Sequence, residues 1–134
     1  MPSTYDNLPV FKAVYDMLLT TLDVCKRLTK DYRYSLGEDM KKRLFRIEVL
    51  VYRTNKEADR QKKAEYITEA LELLVEVRLY YRILHDSKQL STNRYAQIAF
   101  DLENVDKHLE QWRRYQMTPQ TPQRGGSNQT DNVG

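Results

Sequence analysis

The side chains that most often carry out catalysis or hold metal ions are scarce in this sequence. There is one cysteine, Cys25, and there are two histidines, His85 and His108. Four-helix proteins often build a metal centre from Glu-x-x-His pairs, but the residues three before the two histidines are Arg82 and Val105. No glycine-rich phosphate loop, Gly-x-Ser-x-Gly elbow or Cys-x-x-Cys pair occurs either. We therefore expect a protein that is not an enzyme and has no catalytic residues, no metal ion and no cofactor.

The residues that remain able to do chemistry are the basic ones, whose charge suits phosphate groups. The 134-residue chain carries a net charge of only +3. The charge is uneven, however, because residues 26–63 hold 13 Lys and Arg against 6 Asp and Glu, whereas residues 64–134 hold 8 against 10. This asymmetry indicates a basic surface that faces a partner and an acidic surface elsewhere.

Four amphipathic stretches must position these charges. Pro9 suits the first turn of a helix, and apolar residues recur from there to Lys30 at the three- and four-residue steps of a helical stripe. Residues 31–37 interrupt the pattern, and Ser91 is a plausible N-cap for the last stretch. The four stripes are Phe11, Val14, Leu18, Leu22, Cys25 and Thr29; Met40, Leu44, Ile47 and Val51; Ile67, Leu71, Leu74, Tyr81 and Leu84; and Tyr95, Ile98, Leu102, Val105, Leu109 and Trp112.

These four helices, joined by short loops, predict an all-α fold: an antiparallel up-down-up-down four-helix bundle. We expect the bundle to span residues 8–116, with a flexible N-terminus at 1–7 and a disordered tail at 117–134, which is poor in apolar residues. No apolar run approaches the length of a membrane span, and the N-terminus has no basic segment followed by an apolar stretch. We therefore expect a soluble, cytoplasmic protein that does not enter a membrane.

Helical geometry selects two groups of basic residues as candidates for binding nucleic acid or a protein partner. The first group lies on one stripe of the second helix, opposite its apolar stripe. The second group gathers at the end of the bundle where the first helix finishes, with Tyr32 and Tyr34 among the charges. Basic side chains interleaved with aromatic rings neutralise phosphates and stack on unpaired bases. An ordinary solvated surface is the alternative. The two groups are Lys42, Arg46, Arg53 and Lys56, and Lys26, Arg27, Lys30, Arg33 and Lys41.

The outward face of the third helix predicts a contact between subunits. A ridge of glutamates leads into three apolar residues that point where solvent should be, and a monomer has no reason to expose them together. We expect a homo-oligomer in which this face docks on the second helix of a neighbour, so that the glutamates meet the basic ridge. Two ordinary solvated faces are again the alternative. The expected interface residues are Glu69, Glu72, Glu76, Leu79, Tyr80, Ile83 and Val49.

Arg78 projects onto the middle of the apolar stripe of the third helix. A buried arginine needs an anionic or carbonyl partner. Glu48 flanks the core face of the second helix, and we expect it to form an internal ion pair with Arg78.

Several segments together resemble one protein family. They are RYSLGE at residues 33–38 and the helical run that follows it, VRLYYRILHD at 77–86, LSTNRY at 90–95 and WRR at 112–114. In these segments the chain resembles the accessory variability determinant (Avd) family of diversity-generating retroelements. That family is related to four-helix bundles encoded in intervening sequences of bacterial large-subunit ribosomal RNA genes. The likeness covers roughly residues 8–115.

The resemblance implies a non-enzymatic accessory protein that assembles as a pentameric ring of four-helix bundles. Such proteins bind the reverse transcriptase of the retroelement and bind RNA or DNA through a basic surface. They support mutagenic copying of a template RNA into cDNA, which rewrites a variable gene. Two alternatives stay open: a bundle associated with ribosomal RNA intervening sequences, and a homo-oligomeric protein-interaction module that does not bind nucleic acid.

Overall fold

The computed structural model describes residues 8–119, and every regular element in that range is helical. Four long helices form the bundle, which confirms the predicted all-α four-helix architecture. The predicted flexible residues 1–7 and residues 120–134 of the predicted tail lie outside the described residues. The elements are α1 (Pro9–Arg27), α2 (Lys30–Tyr32), a π-helical turn (Arg33–Gly37), α3 (Glu38–Lys56), α4 (Arg60–Asp86) and α5 (Thr92–Met117).

The four long helices pack in cyclic order around one core. α3 packs between α1 and α4, α4 packs between α3 and α5, and α5 packs back against α1. Short connections force consecutive helices to run in opposite directions. Two helix starts have side-chain caps, because Asp59 accepts from the amide of Lys62, and Ser91 accepts from the amide of Arg94 as predicted.

The core matches the predicted stripes of the second, third and fourth helices closely. Every predicted apolar residue of the second and third stripes is buried, and so are Ile98, Leu102, Val105 and Leu109 of α5. Tyr95 and Trp112, at the two ends of the fourth stripe, are partly buried against this core. The core also contains one polar pair that joins α1 to α4, because the hydroxyls of Thr21 and Tyr81 lie 2.5 Å apart. Burial raises the pKa of Tyr81, so its hydroxyl keeps its proton.

The predicted stripe of the first helix was rotated. Leu22 is 44% exposed and Thr29 lies beyond the end of α1, whereas Met17, Thr21 and Val24 are buried. The error arose because α1 carries apolar residues over more than half of its circumference, so that periodicity alone fits two different faces. The contact with α5 selects the face that includes Met17 and Val24.

The interruption after the first helix was also misplaced. Residues 30–37 are helical, and the chain turns instead at Leu28 and Thr29, whose backbones are extended. A long-range contact fixes this turn, since the amide and hydroxyl of Thr29 donate to Oε1 of Gln89 at 3.0 and 3.2 Å. Gly37 permits a close approach, because a Cβ there would lie 3.1 Å from Sγ of Cys25, closer than ordinary van der Waals contact.

The expectation that Arg78 forms an ion pair with Glu48 is wrong. Arg78 leaves the core and bonds to Glu103 at 2.7 Å, with Asp106 at 3.8 Å, and both partners lie on α5. Glu48 is buried, and neither of its carboxylate oxygens has a hydrogen-bond partner among the described residues. A long side chain such as that of arginine can reach the rim of a helix pair from a core position, which removes the cost of burying its charge.

Burial raises the pKa of Glu48 from its ordinary value of 4.5 to about 8. Between these two values the folded protein holds a proton that the unfolded chain has released. The contribution of this group therefore makes the protein less stable as the pH rises, by up to about 1.4 kcal/mol for each pH unit in that window.

We expect Glu48→Met to flatten this decline and to raise the free energy of unfolding at about pH 8 by roughly 2–4 kcal/mol. Urea denaturation at about pH 5, 6.5 and 8 measures the effect. Glu65→Gln removes a carboxylate from the surface of α4 and serves as the control. A Glu48→Met protein that keeps the wild-type slope would show that Glu48 is not the buried acid described here.

Candidate nucleic-acid and subunit interfaces

The first candidate surface is the α3 basic ridge, formed by Lys42, Arg46, Arg53 and Lys56. Lys42 and Arg53 are exposed and have no ion pair among the described residues. The ammonium of Lys56 lies over the ring of Tyr52, 5.2 Å from its centroid. Arg46 differs from the others, because its Nε bonds to Glu69 of α4 at 3.2 Å. The ridge therefore keeps three cations whose charge no carboxylate neutralises.

The second candidate surface is the end of the bundle where α1 finishes. Two of its five cations are paired, because Arg27 bonds to Asp23 at 3.3 Å and Lys41 bonds to Glu38 at 2.8 Å. Lys26 and Lys30 are exposed and have no acidic partner within residues 8–119. Asp23 also bonds to Arg94 of α5, and its pKa is lowered, chiefly by the hydrogen bond from Arg27.

Arg33 is held in place by the end of α1. One of its terminal nitrogens donates to the carbonyls of Lys26 and Leu28, at 3.3 and 3.2 Å. Arg33 thus caps α1 while keeping its charge, since carbonyl oxygens do not neutralise a guanidinium. Its Nε is shielded from solvent and has no hydrogen-bond partner in the described part of the chain.

Between α1 and the π-helical turn lies a cleft of about 500 Å³, which we call the corner cleft. It brings together Lys26, Arg33 and Lys41, which sequence reasoning placed only at the same end of the bundle. The exposed ring of Tyr34 and the apolar side chain of Leu22 also face it. The complete lining is Leu22, Cys25, Lys26, Arg33, Tyr34, Glu38 and Lys41.

The π-helical turn decides which side chains reach the corner cleft. A π turn contains one more residue than an α turn, so the residues before it are rotated by about 100° relative to a continuous α-helix. Arg33 and Tyr34 begin this turn, and the ring of Tyr34 lies 5.9 Å from the Arg33 guanidinium. No sequence periodicity signals such an insertion, and we had assigned this segment to a loop.

Two of the apolar residues of the predicted subunit interface are exposed on α4. Leu79 is 59% exposed, and Ile83 is exposed too. Val75, which the sequence reasoning missed, adds a third exposed apolar residue one turn earlier. We call Val75, Leu79 and Ile83 the α4 apolar face. Val49 on α3 is only half-buried.

Tyr80 does not join the α4 apolar face, which corrects our expectation that it points to solvent. It is half-buried between α3 and α4, and its hydroxyl donates to Asp39 at 3.3 Å. The Arg43 guanidinium lies over its ring at 5.1 Å. Burial raises the pKa of Tyr80, so the hydroxyl stays a donor.

The acidic ridge of α4 consists of Glu65, Glu69, Glu72 and Glu76. Two of these four glutamates already form ion pairs within the chain. Glu69 bonds to Arg46, and Glu76 bonds to Arg43 at 2.5 Å. Glu65 and Glu72 form no ion pair with any described residue. Two glutamates of α4 therefore bind arginines of α3 within the chain, and the other two carboxylates can bind an external partner.

Sequence reasoning also missed an apolar surface along the seam between α1 and α3. Tyr15, Leu19 and Leu22 of α1 are exposed, as are Phe45 and Tyr52 of α3. Their helical spacing contained the signal, because these residues follow one another at three- and four-residue steps or, on α3, seven residues apart. On α1 this spacing was not recognised, because a different apolar stripe was taken as the one that faces the core.

Within residues 8–119, no group of three or more His, Cys, Asp or Glu residues is arranged to hold a metal ion. Cys25 is buried, which raises the pKa of its thiol. None of the described helices combines the length and the apolar composition that crossing a membrane requires.

Comparison with known proteins supports the fold and goes no further. One solved structure that resembles this chain is a protein of unknown function from the S23 ribosomal protein family of Bacteroides thetaiotaomicron VPI-5482. The two superpose with a TM-score of 0.73 over 82% of this chain and 98% of that one, at 14% sequence identity. No family model matches the sequence. No curated protein matches it either.

The pair of Arg46 and Glu69 is half-exposed on both sides, and such pairs contribute little to stability. We expect Arg46→Gln to lower the free energy of unfolding by no more than about 1 kcal/mol, measured by urea denaturation. Lys42→Gln, which breaks no ion pair, is the matched control. A loss of several kcal/mol in Arg46→Gln alone would show that the α3–α4 seam depends on this bond.

Proposed function

We propose that this chain is a non-enzymatic, nucleic-acid-binding adaptor that acts as a homo-oligomer. In the manner of the Avd family that it resembles, it joins RNA or DNA to the reverse transcriptase of a diversity-generating retroelement. It supports mutagenic cDNA synthesis without carrying out a reaction itself. The observation that carries the proposal is the set of basic residues that remain without acidic partners.

Six of the nine candidate cations have no carboxylate partner among the described residues, since only Arg27, Arg46 and Lys41 form ion pairs. A chain with nearly as many acids as bases could neutralise most of its cations internally. Nine of the seventeen Asp and Glu residues in the described range lie instead on α4 and α5. A phosphate backbone is a suitable partner for cations left in this way, because it offers closely spaced negative charges.

The homo-oligomer part of the proposal rests on two complementary surfaces. The α4 apolar face lies beyond Glu72, a carboxylate without an ion pair in the described chain, and the α3 basic ridge surrounds half-buried Val49. Docking the α4 apolar face around Val49 joins two different patches, so the contact repeats from subunit to subunit until a ring closes. In this arrangement Lys42 and Arg53, two turns before and one turn after Val49, lie at the rim of the contact and stay available to phosphates. The resemblance implies that this ring has five subunits.

The structural comparison favours a second candidate function. The neighbour from Bacteroides is a protein of unknown function from the S23 ribosomal protein family, and the family's ribosomal name fits our alternative of a bundle associated with ribosomal RNA. A bundle associated with ribosomal RNA would use the same basic surface. Genomic location separates the two candidates: a reverse transcriptase gene with a template and variable repeat nearby supports the adaptor, and a location inside a ribosomal RNA gene supports the alternative.

The nucleic-acid part is tested by fluorescence anisotropy with a structured RNA and a DNA duplex at about 50 and 200 mM salt. Contacts with phosphates make affinity fall steeply over this range. We expect Lys42→Gln/Arg53→Gln to weaken binding of all sequences and to reduce the slope of log affinity against log salt by about 2.

The matched control for this measurement is Lys62→Gln/Lys107→Gln, which removes the same charge from exposed positions outside the candidate surfaces. Equal losses in the two variants would contradict the α3 basic ridge as the contact surface. No binding by the wild-type protein at either salt concentration would contradict the nucleic-acid part altogether.

The assembly part is tested by sedimentation. We expect the wild-type protein to sediment as an oligomer and Leu79→Glu/Ile83→Glu to sediment as a folded monomer, because a charge in an apolar contact is desolvated without a partner. Phe100→Glu places a charge on a still more exposed apolar residue of α5 and should leave the mass unchanged. A monomeric wild-type protein would refute the assembly.

A further inference from the structure

We propose that the corner cleft binds one unpaired nucleotide of a single-stranded RNA or DNA segment. The base stacks on Tyr34, and its phosphates lie against Lys26 and Lys41. This inference rests on the proposed nucleic-acid binding and adds to it a preference for unpaired over duplex nucleic acid. The α3 basic ridge supplies affinity for any phosphate backbone, and the corner cleft supplies the preference.

The size and lining of the corner cleft suit such a ligand. Its volume of about 500 Å³ lies within the range of small-molecule sites. Three cations and one carboxylate line it, and that carboxylate, Glu38, is already bonded to Lys41 at 2.8 Å. The cleft thus keeps a positive charge that attracts an anion, while Leu22 and Cys25 form an apolar wall.

Tyr34 supplies the surface for stacking. Tyr34 is 63% exposed, so its ring is accessible to a ligand. The neighbouring Arg33 holds its charge 5.9 Å from the ring centroid. An exposed aromatic ring between cations is the arrangement with which proteins bind single strands, because every base has a face to stack and every nucleotide brings a phosphate.

The guanidinium of Arg33 is held in a fixed position in the wall of the cleft. Its hydrogen bonds to the carbonyls of Lys26 and Leu28 fix the guanidinium against the end of α1. Its Nε is shielded from solvent and is without an acceptor in the described chain. The fixed guanidinium keeps its charge in the wall of the cleft, where it attracts a phosphate.

Duplex nucleic acid cannot use this site in the same way. In a duplex, both faces of each base are covered by its stacked neighbours, and only phosphates and groove edges are accessible. A single strand, a loop or a bulge offers a free base. The α3 basic ridge makes no such distinction, because its cations lie along one open face of a helix and contact the phosphates of either form.

The test uses the full chain and three fluorescein-labelled probes of about 12 nucleotides: single-stranded RNA, single-stranded DNA of the same sequence, and the corresponding DNA duplex. Anisotropy gives their affinities at about 100 mM salt. We expect Tyr34→Ala to weaken binding of both single strands by about 5- to 100-fold, and binding of the duplex by less than about 2-fold. Tyr34→Phe keeps the ring and should bind like the wild type.

A second readout reports stacking directly. A single strand with 2-aminopurine at its centre should lose fluorescence when it binds the wild type or Tyr34→Phe, and should keep it with Tyr34→Ala. Lys26→Gln/Lys41→Gln changes the charge of the cleft and leaves the ring in place. It should weaken single strands more than the duplex, and it replaces Tyr34→Ala if circular dichroism shows that Tyr34→Ala does not fold.

The outcomes separate this inference from the proposed function. If Tyr34→Ala and Lys26→Gln/Lys41→Gln leave the preference between single strand and duplex unchanged while the wild type binds both, the corner-cleft inference is wrong and nucleic-acid binding stands. If the wild type binds the duplex and no single strand, the inference is likewise wrong. If it binds no probe, both are wrong.

Discussion

The ion pairs that join different helices lie along three of the four seams of this bundle, and this distribution affects the rest of its surface. Glutamates of α4 hold α3 through Arg43 and Arg46, and Arg78 of α4 holds α5. Arg94 of α5 bonds to Asp23 of α1. Between α1 and α3 the described residues form no ion pair. The carboxylates of Asp23 and Glu38 pair with cations of their own helices, so they do not tie α1 to α3, and Lys26 and Arg33 keep their charge.

The seam between α1 and α3 is held together by close packing instead. Gly37 allows the helical corner to lie against Cys25, whose thiol donates to the Gly37 carbonyl at 3.6 Å. Glu48 is buried on the flank of α3 without a partner, at a cost that the surrounding core has to offset. Such packing leaves exposed apolar rings and free cations on the same side of the molecule. The corner cleft, which Leu22, Arg33 and Tyr34 line, lies on this side.

Sequence patterns located the four helices and most of the core, because a helix buried on one face repeats its apolar residues every three or four positions. They failed where two faces were equally apolar, as on α1, and where a distant residue decides the backbone. The turn at Thr29 depends on Gln89, sixty residues away, which no local pattern contains. Arg78 was assigned a partner from its position on a helical projection, but its long side chain bonds across a different seam, to Glu103.

The candidate surfaces, too, could be predicted from the sequence only in part. The sequence by itself determined the fold class, the excess of bases in residues 26–63 and the outward placement of Lys42 and Arg53, since helical periodicity and local composition fix all three. Only the tertiary structure decided which of these charges stay free and which side chains meet in the corner cleft. Ion pairing depends on the distance between residues on different helices, and the π-helical turn rotates Arg33 and Tyr34 in a way that periodicity does not encode.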